Sequence, residues 1–249
     1  MNFDDGIFGL YSRLYEDRRE VELSLEDYLG KCSDDPSYYA GAAERMLRAI
    51  GDPMHVDVRR YPALIPLSNN GTLTVYEGFS DFFGMEETIE RIVSLLRRAA
   101  EGFEQRQQVF YLLGPPGGAR ALLAERLKQL IEKQPVYVLK AGKEISPVFE
   151  SPLGLFDPAT DGPQLERRYG IPIRRLTGAM SPWAVKRLKE FGGDITKFTV
   201  VRLQPSRLKQ ICISKTEHGD ENNQDVSSLV GKVDIRKLEF FSQNGVSCD

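Results

Sequence analysis

Val109-Phe-Tyr-Leu-Leu-Gly-Pro-Pro-Gly-Gly-Ala-Arg-Ala121 is the stretch on which the fold turns. A short apolar run, Val109 to Leu113, breaks into a glycine-rich turn. A helical pattern then begins at once, with Leu123, Leu127, Leu130 and Ile131 on one stripe. Strand, glycine turn and helix together form the setting of a phosphate-binding loop. Glycines let backbone N–H groups curl around phosphate oxygens, and the helix N-terminus adds its positive dipole end. The plain alternative is a tight strand-to-helix connection with no ligand.

The pattern G-x-x-x-x-G-K-[ST] is met at Gly114 and fails where its chemistry sits. Pro115, Pro116, Gly117 and Gly118 fill the spacer, and Ala119, Arg120 and Ala121 replace the glycine, lysine and hydroxyl residue. These eight positions are the candidate nucleotide-binding residues. Ala119 places a Cβ where phosphate must approach, and at positive φ it costs roughly 1–2 kcal/mol. Arg120 keeps the charge in a planar fork that does not replace a compact ammonium. Ala121 offers no oxygen to Mg²⁺. Losing two charge-assisted contacts of about 1.5–3 kcal/mol each weakens binding on the order of 10²–10⁴-fold. The reading is ATP binding weakened or lost, with Mg²⁺ binding lost.

With 249 residues the chain can bury a substantial core. Hydrophobic residues at 41% and charged residues at 28% are those of a globular protein, and a net charge of −3 argues against general nucleic-acid affinity. No apolar run reaches the roughly 18 residues of a membrane span, and Met1 to Asp5 is acidic where a signal peptide is basic. The expected location is the cytoplasm, with no membrane partner. Cys32, Cys212 and Cys248 have no short spacing, and only His55 and His218 supply imidazoles. Neither a disulfide framework nor a metal centre is expected.

Along the chain, Ser24-Leu-Glu-Asp27 reads as a capping box opening a helix with Leu25, Tyr28 and Leu29 inward. Asp35-Pro36 reads as a second helix start, running to a stop at Gly51. Asn69-Asn-Gly71 before Leu73 and Val75 suggests a turn and strand, and Glu86 to Phe103 a long amphipathic helix. Val136 to Leu139 reads as the strand completing a βαβ unit with Val109 to Leu113. Residues 146–158 form an ordered loop, Gly162-Pro163 and Ser181-Pro182 open helices, and Phe198 to Leu203 is a further strand. Seven basic side chains and no acidic one lie between Arg167 and Lys189. They could face phosphates, a neighbouring subunit or RNA, but exposed helix faces are the favoured reading. Asp234 caps a final short helix. The expected division is a helical segment at 1–78, a nucleotide-binding core at 79–205 and an incomplete C-terminal part at 206–249.

Several long stretches resemble the bacterial PrkA serine protein kinases. They are Ala43-Glu-Arg-Met-Leu47, Phe83-Gly-Met-Glu-Glu87, Tyr111-Leu-Leu-Gly114, Ser146 to Pro158, Ser181-Pro-Trp-Ala-Val-Lys-Arg-Leu188, Gly219 to Asp225 and Ser228 to Glu239. The resemblance implies an α/β, AAA-like P-loop NTPase fold with an N-terminal helical extension, and ATP-dependent phosphorylation of protein serine. It also implies protein substrates, full-length relatives as partners and an AAA-type oligomer. The family's loop reads glycine-lysine-serine where this chain has Ala119, Arg120 and Ala121, and its members continue into a Walker-B-like strand and a kinase-like domain. The strands Val136–Leu139 and Phe198–Leu203 are followed by Lys140 and Gln204, so neither supplies a Walker B acid. No H-R-D loop is present, and Asp81-Phe-Phe-Gly84 breaks the D-F-G spacing. The catalytic residues are not assigned. Two functions remain open: a PrkA-type kinase portion impaired in this chain, and a non-catalytic module docking on relatives. Binding of nucleic acid through the Arg167–Lys189 stretch is a third and weaker reading.

Overall fold

The computed structural model describes residues 21–57, 72–102, 109–110, 112 and 120–213. In chain order the elements are β1 (Val21–Ser24), α1 (Leu25–Asp34), α2 (Ala42–Ile50), β2 (Pro53–Asp57), β3 (Thr72–Tyr76), α3 (Glu86–Ala100), α4 (Arg120–Ile131), β4 (Val136–Ala141), β5 (Glu144–Ile145), α5 (Gly162–Tyr169), α6 (Pro182–Glu190) and β6 (Phe198–Leu203). Short 3-10 turns fill several connections, among them Pro36–Tyr39 and Pro152–Leu155.

Four strands form an antiparallel sheet in the order β1-β6-β4-β5. The register of β4 on β6 pairs Val136 with Leu203 and Leu139 with Val200. Alternation sends Tyr137, Leu139 and Ala141 to one face and Val136 and Val138 to the other. Against the first face pack Tyr28 and Leu29 of α1, Leu165 of α5 and Ala184 of α6. The second face, with Val201 and Leu203, is covered by Ile145, Phe149 and Ile211. Both faces are therefore closed, and Leu139, Phe198 and Val200 are fully buried.

The start of α1 follows from its cap. The Ser24 hydroxyl accepts the Asp27 N–H at 3.0 Å, as the capping box predicts, and the Asp27 carboxylate reaches back at 2.7 Å to the Ser24 hydroxyl in place of its backbone N–H. Leu25, Tyr28, Leu29 and Cys32 then face the core. Burial raises the Cys32 thiol to about 12, so it stays protonated and packs as a small apolar group.

The single helix expected from Asp35 to Gly51 is two elements. Asp35 does start a turn, its carboxylate accepting the Ser37 N–H at 2.8 Å. Ala40 and Gly41 are then extended, and the Glu44 carboxylate accepts the Gly41 N–H at 2.7 Å to open α2 afresh. Gly51, at φ 87°, stops α2 as expected.

A second apolar layer lies under α2, α3, α4 and the β2–β3 hairpin, built on Ile50, Tyr76, Ile89, Val93, Leu123 and Leu130. The helix from Glu86 is confirmed to Ala100, with Ile89, Ile92, Val93 and Leu96 inward; Phe103 lies outside the described residues. β3 is confirmed, whereas β2 escaped the sequence reading because its alternation, Met54 and Val56 against His55 and Asp57, spans only four residues, all of them exposed. At Gly78 backbones nearly touch: an added Cβ would stand 3.0 Å from both the Cα and the carbonyl oxygen of Ile50. Gly78→Ala is expected to destabilise the fold by about 1–3 kcal/mol, read as a lowered midpoint in urea at unchanged slope.

The expected βαβ unit needs correction. Val109, Phe110 and Leu112 lie in no strand and Val109 is 89% exposed, while Tyr111 and Leu113 lie outside the described residues. β4 pairs instead with β6, antiparallel, and α4 packs on α2 in the helical layer. Packing also crosses the expected division at residue 78, since β1 joins the main sheet and α2 packs on α3. The turn at 69–71, the polar run 215–225 and the helix expected from Asp234 lie outside the described residues.

Candidate functional site

The loop helix is confirmed as α4, opened by Arg120 and twelve residues long. Its apolar stripe is the predicted one: Leu123 and Leu130 are buried, and Leu127 packs beside them. Gly114 to Ala119 lie outside the described residues, so the structure places the helix that follows the loop.

α4 is held at several points. Near its middle, Arg126 bonds the Asp81 carboxylate and its guanidinium lies 5.6 Å from the centre of the Phe82 ring. This fastens α4 to the Asp81–Gly84 turn, which is structural, as expected. Just beyond its C-terminus, the Gln204 amide donates to the Glu132 carbonyl. Arg207 donates to the Glu132 carboxylate from its backbone N–H at 2.7 Å and from Nε at 2.9 Å. Its Nη1 reaches Glu125 at 2.8 Å. Lys128 and then Arg207 hold the Glu125 carboxyl below its ordinary range. Sequence reasoning missed this clamp, because no spacing rule links Glu132 to a residue 75 positions on. These contacts fix α4 to the Asp81–Gly84 turn and to the segment after β6.

The donor set fits Mg²⁺ poorly. Ala121, in the first turn of α4, is exposed and carries a methyl group where a metal-ligating hydroxyl belongs. No cluster of three or more His, Cys, Asp or Glu residues among the described residues could hold a metal ion. β4 ends in Ala141, and β6 ends in Leu203 before Gln204, whose amide is spent on Glu132. Neither strand ends in a carboxylate.

The PrkA AAA domain family matches residues 23–248. The chain belongs to that family. Its α/β, AAA-like fold class is thereby the expected one, with the antiparallel sheet described above as its described part. Among PrkA relatives, it is 55% identical over 96% of its length to "Serine/threonine kinase YeaG" of Escherichia coli K12. It is 30% identical over 92% of its length to "ATP-dependent protease PrkA" of Bacillus subtilis. It spans 37% and 35% of those two proteins. No solved structure matches.

Within this PrkA domain three of the seven basic side chains from Arg167 to Lys189 make ion pairs with described carboxylates. Arg175 bonds Glu44, and Arg187 bonds Glu144 and also Glu190, the latter at 2.5 Å. Arg168 lies 3.9 Å from Glu26 on the surface. No helix among the described residues is long and apolar enough to cross a membrane.

Proposed function

We propose that this chain is the AAA, ATP-binding portion of a PrkA-type protein serine kinase whose loop has lost most of its hold on Mg²⁺-ATP. The observation carrying the reading is Ala121: the first turn of a well-anchored helix presents a methyl group where the metal-ligating hydroxyl belongs. Arg120, at the helix start, keeps one positive charge for an anion, and the helix dipole adds to it. The name of the Escherichia coli relative supports a kinase, whereas that of the Bacillus relative specifies an ATP-dependent protease and supports the ATP dependence alone. The same residues support a second role as a non-catalytic module that docks on full-length relatives or their protein substrates, within an AAA-type oligomer in the cytoplasm.

Phosphate release and transfer to a casein-like acceptor test the proposal. Turnover indistinguishable from buffer is expected, with weak ATP binding that Mg²⁺ does not improve. Turnover in the range of about 1–100 s⁻¹ typical of kinases would overturn it.

A further inference from the structure

A cavity of about 560 Å³ opens between the Pro36–Tyr39 turn, the start of α2, the Pro135–Val138 end of β4, the 148–153 loop and residues 174–177. None of its described walls comes from α4. Among the described residues three arginines line it, Arg45, Arg174 and Arg175, and no aspartate or glutamate does. We propose that this cavity is a second anion site, built to take a phosphomonoester.

The arginines are not equivalent. Arg175 is largely buried and bonded to the Glu44 carboxylate, and its guanidinium lies 5.9 Å from the Tyr39 ring centre. One of the three charges is thus already balanced. Arg174 is exposed at the rim. Arg45 carries the argument: its Nε is buried with no hydrogen-bond partner among the described residues. Burial lowers its pKa, and the nearby Glu44 carboxylate, already bonded to Arg175, offsets this only in part. An arginine kept only for packing is normally paired when buried. Two uncompensated charges facing one cavity match the two charges of a phosphomonoester near neutral pH.

The remaining wall suits the group that carries the phosphate. Ser37, Ser151 and Thr177 bring hydroxyls, and Tyr38 stacks on Tyr137 with ring centres 4.4 Å apart. β4 is partly open here. Leu139 uses its outer edge, donating to Glu150 at 3.0 Å and accepting from Ser146 at 2.9 Å. Tyr137 presents its N–H and C=O on the same edge by the two-residue alternation, and β5 pairs only with Lys140 and Ala141. An extended segment carrying phosphoserine could bond there and reach the arginines, while free phosphate would use the arginines alone.

The test uses the full 249-residue chain, calorimetry, and three probes: inorganic phosphate, a short phosphoserine peptide and its unphosphorylated form. Saturable binding of phosphate and phosphopeptide, with none of the plain peptide, is expected. Arg45→Gln and Arg174→Gln should each weaken it about tenfold or more, as loss of a charge-assisted contact does. Arg120→Gln, in the other candidate site, should leave it unchanged. Without ligand, Arg45→Gln should melt no lower than the parent, because its unpaired charge is gone; Arg174→Gln, at an exposed position, supplies the same test should Arg45→Gln misfold. Phosphopeptide binding tighter than phosphate would assign the ligand to a protein side chain, and equal affinities would assign free phosphate. No saturable binding, or binding lost in Arg120→Gln but kept in both cavity variants, overturns the proposal.

Discussion

Phe198→Ala is expected to lower stability by about 3–5 kcal/mol, as removal of a buried aromatic ring does. Phe198 is fully buried on β6, the strand between β1 and β4. Its ring meets Phe191 edge-on, with centres 5.2 Å apart, and Trp183 at 6.4 Å, so it joins α6 to the sheet. Truncation leaves a void bordered by backbone on the strand side, which cannot collapse freely. For a chain of this size the loss corresponds to a fall in Tm on the order of 10 °C. Phe198→Leu refills much of the space and should cost about 1–2 kcal/mol. Parallel chemical melts of the three proteins check this. A parent-like midpoint for the alanine variant would mean that β6 does not organise the sheet.

That central strand shows what the sequence could and could not disclose. Phe198-Thr-Val-Val-Arg-Leu203 reads as a strand from its β-branched and apolar content alone. Its partners do not, because pairing is a non-local choice. β1 and β5 have four and two residues, too few to show alternation, and only the register with Val136–Ala141 reveals the antiparallel arrangement. Local signals fared better. The Ser24 cap, the Gly51 stop and the Leu123–Leu130 stripe are each decided within one or two turns of chain, and the structure has them where the residues place them.

The candidate site divides in the same way. The loop motif was legible because glycine spacing is local, and its three departures were legible for the same reason. The Arg207 clamp behind α4 was not. Neither was the arginine cavity, where Arg175 is held by Glu44, 131 positions away in the chain. In the sequence Arg174 and Arg175 are just two members of a basic run. Only folding separates those paired to carboxylates, such as Arg187, from Arg45, which lines a cavity and makes no ion pair among the described residues.

Restoring the loop with Ala119→Gly, Arg120→Lys and Ala121→Ser is expected to tighten ATP binding by about 2–5 kcal/mol, the sum of two regained charge-assisted contacts. The glycine removes a Cβ from the path of the phosphate, the lysine returns a compact ammonium, and the serine supplies the oxygen that Ala121 lacks. The helix itself should be unaffected. Its stability rests on Leu123 and Leu130 and on the Arg126 and Arg207 contacts, none of which involves the altered positions. The gain should therefore appear in affinity, with the ligand-free melting temperature nearly unchanged. It should also require Mg²⁺, since the serine acts through the metal, whereas any residual binding by the parent should not. Hydrolysis should remain absent in both proteins, because β4 and β6 still end without a carboxylate. Titrating both with a fluorescent ATP analogue, with and without Mg²⁺, separates the outcomes. A metal-dependent gain means that the backbone cradle persists and only its side chains have been lost; equal, weak binding means that Gly114–Ala121 serves only as a turn into α4.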